Sequence, residues 1–305
     1  MIEIIPPSFQ FNFVGKRKIW FGISLIAVVS SLILIFQKGL NYGIDFTGGA
    51  EIQLQIPSRW DISQLRINLQ NGGIHSFRIQ QIGFAEQNQY LVRIQNSEVS
   101  LNQASKKLEA VLTRELKPGE FEIQRSDVVG PAAGKTLRKK GILAIVFSLI
   151  CILGYVTLRF DMRYALGSIL ALLHDSIAVL GVFVLTKKQF DLQVLAALLV
   201  LIGYSNNDTM IVFDRIRETW RRFPKNSIEQ VVNQAVNDTL GRTLLTSIST
   251  FIPAFILWML GGKVIEDFAF TLMIGIVVGT YSSIFIASSL VILFARYFEN
   301  RARRI

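Results

Sequence analysis

Ionisable side chains inside apolar segments are the strongest chemical signal in this sequence. The segment at residues 192–213 carries a run of polar residues from Tyr204 to Thr209, and Asp208 is the only acid in that segment. The next apolar segment, at residues 240–260, has Arg242 near its start. A charged side chain inside a lipid bilayer is costly and almost always faces the protein interior. We therefore expect Asp208 and Arg242 to face the interior of a helix bundle.

Asp208 and Arg242 can form an ion pair if their helices run in opposite directions, because both then lie near the same membrane face. Three roles remain open at this point. The pair could be static and fix the helix register, or Arg242 could only extend its charge to the membrane interface. Alternatively, Asp208 could be a proton-relay carboxyl whose protonation makes or breaks the pair.

Further polar residues could join a network inside the bundle. Asp175 lies near the middle of a third apolar segment and should face the interior for the same reason, beside His174. A lone histidine there is more often a hydrogen-bonded core residue than a metal ligand. The predicted network comprises Asn207, Thr243, Thr246, His174, Asp175 and Ser282.

The sequence has no catalytic constellation, and we expect neither an enzyme nor a bound cofactor or metal. The stretch after Asp45, with Thr47 and Gly48-Gly49, lacks the lysine of a phosphate-binding loop. The histidine and serine motifs of metalloproteases and hydrolases are also missing from the sequence.

Composition places these residues in a membrane protein. The chain is 51% hydrophobic and 18% charged, with a mean hydropathy of +0.42. An apolar run of about 20 residues crosses a bilayer as a helix. Six apolar segments stand out, at residues 19–36, 141–158, 164–185, 192–213, 240–260 and 268–294.

The distribution of cations predicts the orientation in the membrane. The net charge of +10 is concentrated in clusters before the first segment, between the second and third, between the fourth and fifth, and after the sixth. Cationic clusters mark cytoplasmic loops, and they lack the aromatic interleaving of a nucleic-acid surface. We therefore predict an inner-membrane protein with both termini in the cytoplasm. The predicted parts are a cytoplasmic segment (1–18), a first helix (19–36), an extracytoplasmic domain (37–140), five further helices (141–294) and a basic tail (295–305).

The extracytoplasmic region has the pattern of a small α+β domain. Hydrophobic residues alternate at residues 50–56, 77–84, 89–95 and 121–129, which predicts four strands. Helical spacing occurs at residues 61–70 and again after Ser100. The order βαββαβ is that of the ferredoxin-like unit. The predicted fold class is thus a six-helix membrane bundle with an inserted ferredoxin-like domain.

Five segments resemble the motifs of the SecD/SecF family of protein-export membrane proteins, and they follow in the family's order. They are NYGIDFTGG (41–49), RFDMRYALGSILALLHDSIAVLGVF (159–183), LIGYSNNDTMIVFDRIRE (201–218), NDTLGRTLLTS (237–247) and DFAFTLMIGIVVGTYSSIFIASSL (267–290). The first motif and the fourth helix are more similar to SecF-type than to SecD-type members.

The resemblance implies an accessory subunit of Sec protein export, with the architecture of the resistance-nodulation-division type. It implies that the proton motive force drives translocation of an unfolded preprotein, with SecD, the SecYEG translocon, YajC and membrane lipid as partners. It assigns Asp208 and Arg242 to the proton path. The remaining motif residues, to which we assign a hinge or packing role, are Gly43, Asp45, Phe46, Gly48 and Gly49. Two alternatives are a proton-coupled transporter of small solutes and a passive scaffold of the translocon.

Overall fold

The computed structural model describes residues 10–74, 77–82, 88–95, 101–117 and 119–302. The first half of the predicted cytoplasmic segment and the end of the basic tail lie outside these residues. The helices are α1 (Arg17–Lys38), α2 (Ile44–Thr47), α3 (Ile62–Asn71), α4 (Leu101–Glu115), α5 (Pro131–Arg159), α6 (Met162–Thr186), α7 (Leu192–Arg222), α8 (Ile228–Leu260), α9 (Lys263–Ser282) and α10 (Ser288–Ala302). A π-helical turn, Ser283–Ala287, joins α9 to α10.

Six spans among the described residues are long and apolar enough to cross a membrane. Five of them are α1, α5, α6, α7 and α8, and the sixth is the continuous stretch Val264–Tyr297. The predicted six-helix bundle with an inserted α+β domain is confirmed. We call the end of the bundle next to the inserted domain the domain side, and the opposite end the far side.

Helices α7 and α8 extend beyond their apolar segments on the far side. Helix α7 continues to Arg222, and α8 begins at Ile228. A capping box starts α8, because the Ser227 hydroxyl accepts from the Gln230 amide at 3.3 Å while the Gln230 side chain accepts from the Ser227 amide at 3.0 Å. Arg242 therefore lies several turns inside a continuous helix.

The inserted domain is a four-stranded antiparallel sheet with two helices. Its strands are β1 (Gly49–Gln55), β2 (Phe77–Ile82), β3 (Gln89–Gln95) and β4 (Glu122–Val129), and their order in the sheet is β2-β3-β1-β4. The elements follow along the chain in the predicted order, strand, helix, strand, strand, helix, strand. Alternate residues of β1 and the apolar faces of α3 and α4 form the core. Its fully buried members include Ile52, Leu54, Leu65, Leu69, Leu108 and Leu112.

The bundle interior has an apolar core on each side of the polar residues. Toward the domain side, Val179, Phe183 and Leu198 are buried. Toward the far side, Phe213 and Val232 are buried. The polar residues of the interior lie between these two clusters, so they are kept away from water by apolar packing at both ends.

Candidate functional site

Asp208 is buried on α7 without a hydrogen-bond partner. The residue is 5% exposed, and neither carboxyl oxygen has a partner among the described residues. The Thr243 hydroxyl of α8 lies beside this carboxyl but is also buried and unpartnered. An ionised carboxylate without donors is expensive in such surroundings. The observed arrangement therefore accommodates the neutral acid better than the anion.

Arg242 does not contact Asp208 in this structure. Its side chain is exposed and lines a far-side cavity of about 610 Å³, together with Asp214 and Asp238. Consecutive residues of an α-helix point about 100° apart, so α8 turns Thr243 toward α7 and Arg242 away from it. The contact that sequence reasoning expects is therefore not formed in this conformation.

Asp175 is the second buried carboxyl of the bundle, and its surroundings are the opposite of those of Asp208. The residue is 1% exposed. Its Oδ2 accepts hydrogen bonds from the Ser205 hydroxyl at 2.6 Å and the Ser282 hydroxyl at 2.9 Å. Its Oδ1 lies 2.9 Å from Nδ1 of His174. One carboxyl thus connects α6, α7 and α9.

The π-helical turn brings two consecutive serines into the interior. Ser282 and Ser283 are both fully buried. Ser282 binds Asp175, whereas the Ser283 hydroxyl shares a hydrogen bond of 3.0 Å with the Thr209 hydroxyl of α7. Ser283 also lies beside Asp208. Such turns are rare and recur at functional sites, and this one brings a single stretch of chain to both carboxyls.

A further contact links His174 to α1. The imidazole stacks on the Tyr281 ring with centroids 6.3 Å apart. The Tyr281 hydroxyl donates to the Trp20 carbonyl at 2.9 Å and lies 3.0 Å from the Ser24 hydroxyl. Helix α1 carries both of these partners and leads directly into the inserted domain.

Two members of the predicted network lie apart from both carboxyls. Asn207 is exposed, and the Thr246 hydroxyl donates to backbone carbonyls of its own helix. The predicted network left out Ser205, Thr209 and Ser283, which the structure places beside the two carboxyls. Ser205 and Asp208 are three residues apart and so lie on the same helix face, which indicates from the sequence that Ser205 faces the bundle interior. No spacing pattern in the sequence predicts the π-helical turn that places Ser283 in the interior.

The predicted hinge residues lie where the inserted domain meets the bundle. The Gly43 amide donates to the Phe190 carbonyl at 2.8 Å. The Asp45 carboxyl accepts from the Leu192 amide at 3.0 Å, which caps the first turn of α7. The Phe46 ring stacks on Phe190 with centroids 5.5 Å apart. This motif therefore contacts the start of the helix that carries Asp208.

The paired glycines of the motif have backbone angles that other residues rarely adopt. Gly48 has φ +77° and Gly49 has φ +146°. A Cβ on Gly49 would lie 2.5 Å from the Ile94 carbonyl oxygen, and one on Gly48 would lie 2.9 Å from backbone atoms of Pro131. Both positions require glycine, since the chain turns sharply into β1 between close backbone segments.

A polar cavity of about 220 Å³ lies between the sheet and the domain side of the bundle. Asp45, Glu51, Arg93, Gln189 and Asp191 are among its lining residues. Arg93 bonds to both Glu51 and Gln189 and so ties the sheet to the loop before α7. Burial raises the pKa of Asp191 to about 6, and the neighbouring Asp45 carboxyl contributes to the rise. Sequence reasoning did not single out Asp191.

The chain is a multi-pass membrane protein whose helix interior holds two buried carboxyls, Asp175 and Asp208, and whose inserted domain contacts α7, the helix that carries Asp208. The described residues contain no group of three or more His, Cys, Asp or Glu side chains that could hold a metal ion.

The family follows from the sequence comparisons. The description "Protein export membrane protein SecD/SecF, C-terminal" matches residues 108–297, and "SecD/SecF GG Motif" matches residues 33–56. The chain therefore belongs to the SecD/SecF family. The first match includes both buried carboxyls, and the second includes the paired glycines.

Curated relatives carry the name protein translocase subunit SecF. The protein from Calditerrivibrio nitroreducens is 45% identical over 295 residues, which is 96% of either chain. The protein from Helicobacter pylori strain J99 is 40% identical over 288 residues, which is 93% of this chain and 88% of its own.

Solved SecDF structures share the fold. The crystal structure of SecDF from Thermus thermophilus, a translocon-associated membrane protein, is 36% identical with a TM-score of 0.84, covering 95% of this chain and 39% of that chain. SecDF in its super-membrane-facing form is 34% identical with a TM-score of 0.72, covering 100% and 41% respectively. This chain thus corresponds to less than half of those proteins.

Proposed function

We propose that this chain is a SecF-type accessory subunit of the Sec translocase that pairs with SecD and uses the proton motive force to drive preprotein translocation. The observation that carries the proposal is the Asp208 carboxyl, which is buried in the bundle and has no hydrogen-bond partner among the residues that the structure describes. Arg242 lies one residue from Thr243, the side chain that now occupies the position beside that carboxyl. A single protonation event can therefore decide which α8 residue lies next to Asp208.

The proposed cycle uses two arrangements of α7 against α8. With Asp208 protonated, the neutral acid needs no cation, and Thr243 remains beside it while Arg242 points into the far-side cavity. When Asp208 loses its proton, the anion attracts Arg242, which requires α8 to rotate or slide against α7. A packed interface with two discrete arrangements is an element that proton flow can bias.

The inserted domain is the part of the molecule that this motion would drive. Asp45 and Phe46 contact the start of α7, so a shift of α7 moves the attachment of the sheet. We propose that the domain side is extracytoplasmic in the inner membrane and that the domain holds an unfolded preprotein there. SecYEG, YajC and membrane lipid are the further partners proposed.

The test is proton-dependent export by the chain reconstituted with SecD and the translocon. Asp208→Asn is a fixed neutral mimic, and Arg242→Met removes the cation. Each variant should assemble normally, while export falls to the level measured without a proton gradient. The double variant should be little worse than either single one, because residues that act as one unit give strongly non-additive effects.

Asp161→Asn is the matched control, since Asp161 is an exposed acid at the start of α6 outside the cavity that Arg242 lines, and its loss should leave proton-driven export intact. Full export with Asp208→Asn would leave only the passive scaffold. Proton-coupled uptake of a small solute by vesicles that lack the translocon would instead favour the transporter.

A further inference from the structure

The His174–Asp175 pair is a buried ionisable group that the proposed cycle does not yet use. Asp175 is 1% exposed and His174 is 9% exposed. Among the described residues, the side chains that bond to the Asp175 carboxyl are His174, Ser205 and Ser282. No arginine or lysine takes part, so the carboxyl is not held in place by a permanent cation.

All three partners can reverse their roles. A serine hydroxyl can donate to a carboxylate or accept from a carboxylic acid, and a neutral imidazole has one donor and one acceptor nitrogen. The surroundings of Asp175 can therefore satisfy both its ionised and its protonated form. A contact that served only packing would need one fixed state, and an amide side chain would supply it without the cost of a charge in the bilayer.

Asp175 and Asp208 lie at different depths along the bundle axis. Ser205 lies at the level of Asp175, and Asp208 follows Ser205 three residues later on the same helix. At 1.5 Å per residue, Asp208 is about 4.5 Å closer to the far side. A proton that enters from the domain side therefore meets Asp175 first, then Asp208, and then the far-side cavity that Arg242 lines.

Gly279 of α9 leaves room for the Asp175 carboxyl and its partners. A Cβ on Gly279 of α9 would lie 3.2 Å from the Ser205 side chain and 3.8 Å from Oδ2 of Asp175. Gly279 thus lets α9 approach α7 closely enough for Ser282 to reach the carboxyl. The π-helical turn then turns Ser283 toward Thr209 and Asp208, so hydroxyl groups lie next to both carboxyls.

We propose that Asp175, with His174 as its exchange partner, is a second proton carrier of the bundle and precedes Asp208 on the path from the domain side. This inference rests on the proposed proton-driven function. In this step the carboxylic acid of Asp175 gives its proton to the Asp208 carboxylate, with Ser205 and Ser282 beside the donor and Ser283 beside the acceptor. His174, protonated from the domain side, then returns a proton to the Asp175 carboxylate and becomes neutral again. The stacked Tyr281 connects the pair to α1, so a change of protonation alters the contacts of the helix from which the domain extends.

The first measurement is infrared difference spectroscopy of the reconstituted complex during a change of pH. A proton carrier gives a carbonyl stretching band of a protonated, buried carboxyl. That band should be lost in Asp175→Asn and shifted in frequency in Asp175→Glu, while Asp208→Asn should remove a separate band. An unchanged spectrum in Asp175→Asn would overturn the inference without any assay of export.

The second measurement is proton-dependent export. Asp175→Asn should export at the level measured without a proton gradient, and Asp175→Glu should restore part of the activity. Ser168→Ala is the matched control, because the Ser168 hydroxyl donates to the Asn206 side chain at 2.9 Å across the same two helices but does not touch Asp175. It should keep both the infrared band and the export activity.

The outcomes separate the two proposals. Full export by Asp175→Asn together with loss in Asp208→Asn would refute the second carrier and leave the proposed function standing. Full export by both variants would refute the proposed function, and the infrared band would still decide whether Asp175 takes up a proton. Equal loss in Ser168→Ala and Asp175→Asn, with no change of the band, would reduce Asp175 to a packing contact.

Discussion

Asp175 and Asp208 show how one residue type takes two roles inside the same bundle. Asp175 is surrounded by groups that bond to it, and the arrangement holds α6, α7 and α9 together. Within the described part of the chain, Asp208 has no hydrogen-bond partner, and the buried Thr243 hydroxyl beside it has none either. A satisfied buried group stabilises one packing, whereas an unsatisfied one favours any rearrangement that supplies a partner. The contacts of Asp175 therefore stabilise the observed packing of the helices, whereas the unpaired Asp208 carboxyl favours a rearrangement of α7 against α8.

The raised pKa of Asp191 implies that the stability of the fold depends on pH. Its pKa is raised from 3.8 to about 6, so its protonation stabilises the fold fully below the unfolded pKa, and this contribution is lost as pH rises through about 6. Asp191→Asn removes the charge and keeps a residue that can cap α7. Since one pKa unit corresponds to 1.36 kcal/mol, we expect a gain on the order of 1–3 kcal/mol at pH 7.5.

Thermal unfolding of the purified chain between pH 5 and 8 checks this expectation. The melting temperature of Asp191→Asn should exceed that of the wild type at pH 7.5, and the difference should shrink below pH 6. Asp161→Asn, at the exposed start of α6, is the same substitution and should show no such trend. A constant difference across the whole range would contradict the prediction.

Residue-level chemistry was only partly predictable from the sequence. The cost of charge in lipid correctly placed Asp175 and Asp208 in the interior. That argument cannot give the rotation of a helix about its axis, which decides whether Arg242 or Thr243 lies next to Asp208. The raised pKa of Asp191 also escaped prediction, because it depends on the loop folding against the inserted domain.

Among the elements, α1 and α6 pack against each other at very close range. A Cβ on Gly181 would lie 2.0 Å from the Ser31 hydroxyl and 3.0 Å from the Ser31 Cα. Close approach through small residues is the usual way in which membrane helices associate. Helix α1 is thus fixed against the helix that carries Asp175.

Gly181→Ala should separate these two helices. Overpacking of a close interface typically costs about 1–3 kcal/mol, so we expect a lower melting temperature and a weaker disulfide crosslink between cysteines placed on α1 and α6. Gly203→Ala is the control, because nothing lies within 4 Å of a Cβ built there. Adding Ser31→Gly to Gly181→Ala should recover part of the loss, and no recovery would show that the damage arises elsewhere.

The hydropathy of the sequence and the alternation of its apolar residues predicted which helices and strands form. They did not predict where α7 and α8 end on the far side or where a helix is irregular. The six spans follow from the length of the apolar runs, and the four strands follow from the alternation of apolar and polar side chains. The extensions of α7 and α8 on the far side are amphipathic, so a search for apolar runs ends too early there. The π-helical turn at Ser283–Ala287 lies inside the single predicted segment 268–294, and no sequence pattern marks it.

Across the whole molecule, two of the contacts between the inserted domain and the bundle involve α7 and the loop that precedes it. The motif that contains Asp45 contacts the start of α7, and Arg93 ties β3 to Gln189 in the preceding loop. Both contacts lie at the domain-side end of α7. Helix α1, in contrast, is linked to the His174–Asp175 pair through Tyr281. A movement of α7 or of α1 would therefore shift the sheet of the inserted domain.

Charge distribution across the molecule predicts its orientation. The far side carries the cationic ends of α1, α5, α7 and α10, typical of the cytoplasmic face. Cations also occur on the domain side, but two of them are engaged locally. Arg138 stacks over the Tyr42 ring at 4.4 Å, and Lys188 bonds to Glu266 and Asp267 at 3.0 Å and 2.6 Å. The two acids neutralise Lys188 locally, and cations at the end of a long translocated domain such as Arg138 contribute little to orientation.

Single-cysteine labelling tests that orientation. Replacing the only cysteine, Cys151, with alanine gives a background in which Gln70→Cys places a thiol on the exposed surface of α3 and Lys225→Cys places one in the exposed far-side turn. In right-side-out vesicles, a membrane-impermeant maleimide should label the first position directly and the second only after permeabilisation. The chain with Cys151→Ala alone is the control and should stay unlabelled. Labelling of Lys225→Cys in sealed vesicles would reverse the orientation, and a proton driven inward would then meet Asp208 before Asp175.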